Sequence, residues 1–209
     1  MSPEIQKYIE NEILPKYAGL GGHTSEHIEH VIANSMHFAK QASDINLDMA
    51  YVIAAYHDLG RLVDDETHNI ESAKMLRADE FLRTRFSADE IEIMAEAVED
   101  HRASLGREPR SIYGKIVSSA DRYMTVEEML DRVWDYNRHL HPEFSEEETI
   151  EDARIHLREK FAPDGCAVKT VYFDWPEFNA ILERVGEITK DYKSFAKAMR
   201  AHNKKRFKK

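Results

Sequence analysis

The sequence has a single cysteine, Cys166, in 209 residues. That excludes an intramolecular disulfide and any metal site built on several thiolates. No apolar run approaches the ~18 residues that a membrane span needs, the longest lying around Tyr51 to Tyr56. The opening stretch MSPEIQKYIENE has neither a basic region nor an apolar core, so no signal peptide is expected there, and these absences together predict a cytoplasmic protein. Positive charge is also scarce: 29 Lys and Arg against 39 Asp and Glu give a formal charge of -10. Broad binding to nucleic-acid backbones needs clustered cations and is therefore not expected. The short basic tail from Lys204 to Lys209 reads as a solvated helix end. An acidic chain can still take a small anion where a cation is held locally.

Hydrophobic content of 42% with 33% charged residues describes a globular chain, and at this length roughly 70% of the unfolded surface is buried on folding. Strand signals are weak. Only Val168 to Phe173 alternates loosely, as a short extended segment would. Helical steps dominate instead. Pro3 after Ser2 reads as a capped start, with Ile5, Tyr8, Ile9 and Ile13 following at three- and four-residue intervals. After Gly21-Gly22, Thr24 or Ser25 can cap a second helix carrying Ile28, Val31, Ile32 and Met36. From Asp48 to Asp58 the chain is apolar almost all round, which suits a helix in the middle of a bundle. Ser87 to Glu90 and Ser145 to Glu148 have the form of a capping box, and Asp174 to Glu177 resembles one. No repeat, low-complexity tract or linker divides the chain. The expectation is one all-α domain over 1–209, a helical bundle with a C-terminal helical part over 136–209.

Eleven histidines are many for this length, and their placement carries more than their number. His27 lies on the second helix, His57-Asp58 closes the apolar helix, and His68, His101 and Asp121 follow in ordered contexts. Ionisable groups at the end of an apolar helix are costly unless paired or coordinated. Asp121 follows Ile116 and Val117 at helical steps, and His101 follows Met94, Ala97 and Val98 in the same way, which turns both inward. Imidazole and carboxylate donors together suit Mn, Fe, Ni, Co, Zn or Mg. His139 and His141 read as part of a polar loop, His30 as solvent-exposed, and Tyr172, Phe173, Trp175 and Phe178 as aromatic packing for the C-terminal helix.

The ordered pattern H…HD…H…H…D resembles the HD-domain superfamily of metal-dependent phosphohydrolases. GHTSEHIEHV is similar to its first-histidine helix, AAYHDLGR to its defining motif and GKIVSSADR to its later aspartate helix. The resemblance implies metal-ligand roles for His27, His57, Asp58 and Asp121, with His23 near the entrance. THNIESAKML and AEAVEDHRAS resemble steps of the binuclear branch, closest by spacing to bacterial diadenosine-tetraphosphate hydrolases. They imply a possible second-metal role for His68 and His101, so that the site would hold one or two divalent ions, with Asp58 bridging them if there are two. The likeness covers about residues 20 to 135. It implies a small phosphorylated substrate such as a nucleotide, with Asp58 in catalysis. Phosphates need cationic clamps, for which Arg gives bidentate contacts; by position Arg61, three residues after Asp58, is the first candidate for that contact and for catalysis, followed by Arg102, Arg107 and Arg122. Glu99-Asp100 does not fit the water-activating pair of the (p)ppGpp-hydrolase branch. Two other uses of the same ligands stay open: a di-iron oxygenase on this fold, and a non-catalytic metal-bound nucleotide sensor.

Overall fold

The computed structural model describes residues 1–19, 25–163 and 165–208. It is all-α, and no strand occurs among the described residues. These residues divide into two compact units, Met1–Tyr123 with Thr170–Phe173, and Met124–Lys169 with Asp174–Lys209. No helix among the described residues is long and apolar enough to cross a membrane.

The first unit opens with α1 (Pro3–Tyr8), which runs on through a π turn at Ile9–Ile13 and a 3-10 turn at Leu14–Gly19. Ser2 stands at the N-cap, but its hydroxyl makes no capping bond; its backbone N–H donates to Asp48 Oδ1 at 2.7 Å instead. Helix α2 (Ser25–Ala39) follows, with Thr24 outside the described residues. Helix α3 (Leu47–Tyr56) is capped by Asn46, whose side chain accepts from the Asp48 N–H. Every residue of α3 from Met49 to Tyr56 is buried, which is why its sequence shows no polar stripe. It packs on α2, on α6 (Ala88–Glu99) and on α7 (Ile112–Arg122), so it forms the axis of the unit. Between α3 and α6 lie a 3-10 turn at Leu59–Leu62, α4 (His68–Ala78) and the short α5 (Glu80–Arg83). Asp79 caps α5 through the Leu82 N–H and also accepts from the hydroxyls of Tyr8 and Tyr56, which fastens the N-terminal segment to α3.

The second unit is built from α8 (Val126–Leu140), α9 (Glu146–Phe161), α10 (Cys166–Lys169), α11 (Pro176–Thr189) and α12 (Tyr192–Arg206). Helix α9 is its centre, packed on the other four. The capping boxes at Ser87 and Ser145 form as expected, and Thr125 with Glu128 makes a third, a T-x-x-E start that the same rule finds. Three local expectations fail. The cap position of α11 is Trp175 rather than Asp174, since Pro176 already fills the first helical position without needing a donor. Val168 is helical, and the residues after it form no ladder, because no second strand exists among the described residues to pair with them. His139 lies in the last turn of α8 with His141 at its C-cap, where a cation favours the helix dipole, so the loop begins later than the polar composition suggests. The aromatic group also divides: Phe173 stacks on Phe38 in the first unit, and Trp175 packs near Phe178 in the second.

Two tests follow from this packing. Ile53→Ala, at a position 1% exposed in α3, should cost about 2–5 kcal/mol in chemical denaturation because the surrounding helices cannot close over the lost methylenes. At the start of α9, hydrogen bonds from Ser145 hold the Glu148 carboxyl below its ordinary value. A lowered folded value gives stability that is present above the unfolded Glu range, near ~4.3, and lost as pH falls through the folded value. The Tm advantage of the native chain over Glu148→Gln should therefore be full at pH 7 and shrink below pH ~4.

Candidate metal centre

The end of α3 decides where its polar atoms point. A helix C-terminus leaves carbonyls without intrahelical donors. Here the Ala54 carbonyl accepts from His57 Nδ1 at 2.8 Å, and the Ala55 carbonyl accepts from the Tyr17 hydroxyl at 2.8 Å. His57 is thus held by its own helix end with Nε2 facing away from it. The same arrangement recurs twice. His68 Nδ1 donates to the Asp65 carbonyl and His101 Nδ1 to the Val98 carbonyl, each at 2.7 Å and three residues back. Fixing the proton on Nδ1 leaves the Nε2 lone pair as the donor available to a cation.

Two groups of such atoms face each other. His27, His57 and Asp121 form one; Asp58, His68 and His101 form the other. In the first, Asp121 Oδ1 lies 3.3 Å from His27 Nε2 and 3.7 Å from His57 Nε2. In the second, Asp58 Oδ1 lies 3.2 Å from His68 Nε2 and 3.5 Å from His101 Nε2. The other oxygen of the same carboxylate, Asp58 Oδ2, turns to the first group, 3.6 Å from His57 Nε2 and 4.0 Å from His27 Nε2. The six residues come from five stretches of the first unit: α2, the turn after α3 with both His57 and Asp58, α4, the end of α6, and α7.

The donor set fits a divalent cation. Ligand bonds of about 2.0–2.2 Å put neighbouring donors roughly 3.0–3.5 Å apart in octahedral or tetrahedral geometry, close to the spacings here. His57 Nε2 is buried and makes no hydrogen bond, an arrangement that costs free energy unless the atom has an electrophile to meet. His57, Asp58, His68 and His101 are all 0–4% exposed. Burial acts to lower the His57 pKa, but the carboxylates of Asp58 and Asp121 outweigh it and hold the ring above its ordinary value. At His68 burial prevails over the pull of Asp58 and pushes the ring down to about 4, so it is neutral at pH 7 with its lone pair available. Asp121 stays well below the usual carboxylate range despite its burial, through Arg122 and then His27 and His57. Asp121 is therefore an anionic acceptor wherever a cation would bind.

The arginines divide by what they touch. Arg61 Nε lies 3.1 Å from Asp58 Oδ2, and the same guanidinium pairs with Asp65. Arg122 forks between the groups: Nη1 is 3.1 Å from Asp121 Oδ2, and Nη2 donates to the His101 carbonyl. Arg102 donates to the Glu66 carbonyl. Arg107 is taken up by Asp100, which it grips through both Nη atoms, while Arg110 adds backbone and side-chain donors to the same carboxylate. Asp100 is fully buried and fastens the loop after α6, and Glu99 pairs with Arg77 and Arg110. That pair is thus occupied by cations rather than by water. His23 lies outside the described residues. His30 is half-buried rather than exposed. Tyr17 and Ser72, which brace the site, carried no sequence signal, since a lone Tyr and a lone Ser in helical context are ordinary core residues.

Arg122→Lys should destabilise the protein by about 1–2 kcal/mol in thermal melts, because one ammonium cannot serve both Asp121 and the His101 carbonyl in the planar fork that Arg provides.

No curated protein and no solved structure matches the chain. The HD domain family model matches residues 24–125, a stretch that contains all six clustered residues. That stretch is similar to the HD-domain family, whose members are mostly metal-dependent hydrolases.

Proposed function

We propose that the protein hydrolyses a phosphoester or phosphoanhydride bond in a small phosphorylated compound of the nucleotide class, using two divalent cations. His27, His57 and Asp121 would hold one ion and His68 and His101 the other, with Asp58 shared between them. The observation that carries this reading is the division of the Asp58 carboxylate, one oxygen toward each histidine group. Divalent cations supply Lewis acidity, lower the pKa of water near them and offset charge on a phosphoryl group.

The chain's own residues make the rest of the case. Asp58 and Asp121 carry two negative formal charges, and Arg61 and Arg122 carry two positive ones, so the charges of these four residues cancel when the histidines are neutral. Every divalent ion bound then adds its full charge to the site, and an acidic protein gains a local pull on anions. Arg61, beside the shared carboxylate, is the residue we assign to phosphate contact, with Arg122 orienting Asp121. The three Nδ1–carbonyl bonds hold the imidazoles in place before any ligand arrives, which lowers the ordering cost of binding.

Metal analysis of protein purified without chelator, followed by a panel of nucleotides and phosphoesters with Mn, Co, Ni, Fe, Zn or Mg, tests the reading. Two ions per chain with release of phosphate or a shorter nucleotide is the expected result. Asp58→Ala should lose metal and reduce turnover by about a thousandfold or more. Metal-loaded protein with no turnover on any compound would sink the hydrolase. In that case nucleotide binding alone would indicate a sensor, and two coupled irons consuming O₂ with a substrate would indicate an oxygenase.

A further inference from the structure

The Asp58–His68 distance depends on a joint outside the donor set. The 3-10 turn at Leu59–Leu62 begins directly after Asp58, and its first N–H groups have no intrahelical acceptor. The Gly60 N–H is buried and finds one twelve residues away, donating to Ser72 Oγ at 2.7 Å. Ser72 is fully buried and lies four residues after His68, so both stand on the same face of α4. The two backbones also touch. A Cβ on Gly60 would lie 2.2 Å from the His68 carbonyl oxygen and 2.5 Å from the Ser72 nitrogen, so no other residue fits without moving one of the elements.

The start of α4 indexes the third member of the group as well. Asn69, next to His68, donates through Nδ2 to the Glu99 carbonyl at 2.8 Å, two residues before His101. Asp58, His68 and His101 are therefore all referred to the first two turns of α4. His27 and Asp121 lie instead on α2 and α7.

We infer that Ser72 is a positioning residue for the second ion, its hydroxyl fixing the turn that carries Asp58 against the helix that carries His68 and so setting the affinity of the Asp58–His68–His101 group apart from that of the His27–His57–Asp121 group. This rests on the paired-ion reading above. Removing the acceptor leaves the buried Gly60 N–H unsatisfied and frees the turn to shift relative to α4. A few tenths of an ångström at the joint is enough to spoil a ligand set, since changes behind metal ligands typically cost 10–100-fold in metal affinity.

Stepwise Mn²⁺ titration of the metal-stripped full chain, followed by EPR of free Mn²⁺ and of the spin-coupled pair, tests this without an assay of activity. Ser72→Ala is expected to weaken the second Mn²⁺ by about 10–100-fold, to suppress the coupled-pair signal at equal loading, and to leave the first affinity within about threefold. Ser72→Cys keeps nearly the same volume with a weak acceptor, so it should fold like the native chain and show the same split if the alanine variant does not fold. Wild-type affinities for both ions in either folded variant would overturn the assignment, as would an equal loss of both ions, which is what a purely structural serine would give. A native chain that takes up no pair of Mn²⁺ ions would overturn the paired-ion reading and this inference with it, whereas a native pair retained in Ser72→Cys would overturn this inference alone.

Discussion

A carboxylate placed at the end of a helix with no aqueous face is the constraint around which the first unit is arranged. Asp58 is 2% exposed, and an isolated ion there would be prohibitively costly. Several groups offset that cost: Arg61 beside one oxygen, His57 and His27 facing the same oxygen, and His68 and His101 facing the other. No single helix can supply such a set. Helices α2, α4 and α6 therefore each bring a contribution to the end of α3, and the bundle closes around that end.

The histidines show how helix ends become useful. Carbonyls and amides left over where a helix stops must be satisfied somewhere, and here imidazole Nδ1 groups and the Tyr17 hydroxyl do part of that work. Each such bond does two things at once, since it satisfies the backbone and orients a donor atom. This explains why the ligand-type residues sit at the boundaries of helices rather than within them. His57 is the C-cap of α3, His101 follows the C-cap of α6, and His68 opens α4.

Much of this was legible in the sequence, and the physical reason is periodicity. Apolar steps of three and four residues place His101 and Asp121 on inward faces, and the unbroken apolar stretch before His57 marks a buried helix. The capping boxes are equally direct because two side chains three positions apart specify two hydrogen bonds. What stayed hidden depends on contacts that reach beyond one helical turn. The grip of Arg107 and Arg110 on Asp100 turns a candidate phosphate contact into a loop fastening, and nothing in the local sequence distinguishes the two. The extended reading of 168–173 failed for a related reason, since a strand exists only where a partner does. In the second unit, the interhelical pairs His202–Asp131, Arg206–Asp135 and Arg200–Glu146 likewise join residues more than fifty positions apart, and as surface pairs they contribute little each.

The two histidine groups are not equivalent mechanically, although their donors are alike. The first is assembled from α2, α7 and the end of α3, and these helices pack directly on one another. Its geometry therefore follows from core packing, which resists displacement because side chains there are close-packed. The second depends on α4, which has little direct packing on α3 and meets it through the turn at Leu59–Leu62 and through α6. Its place beside Asp58 is set by close packing on α6 and on that turn, together with the Gly60–Ser72 bond, the Gly60–His68 approach and the Asn69–Glu99 bond. Asp58 belongs to both arrangements, because its backbone follows α3 while its Oδ1 faces α4. Any motion of α4 would then change the spacing of one group and leave the other intact, so the shared carboxylate is where packing of the core and geometry of the site meet.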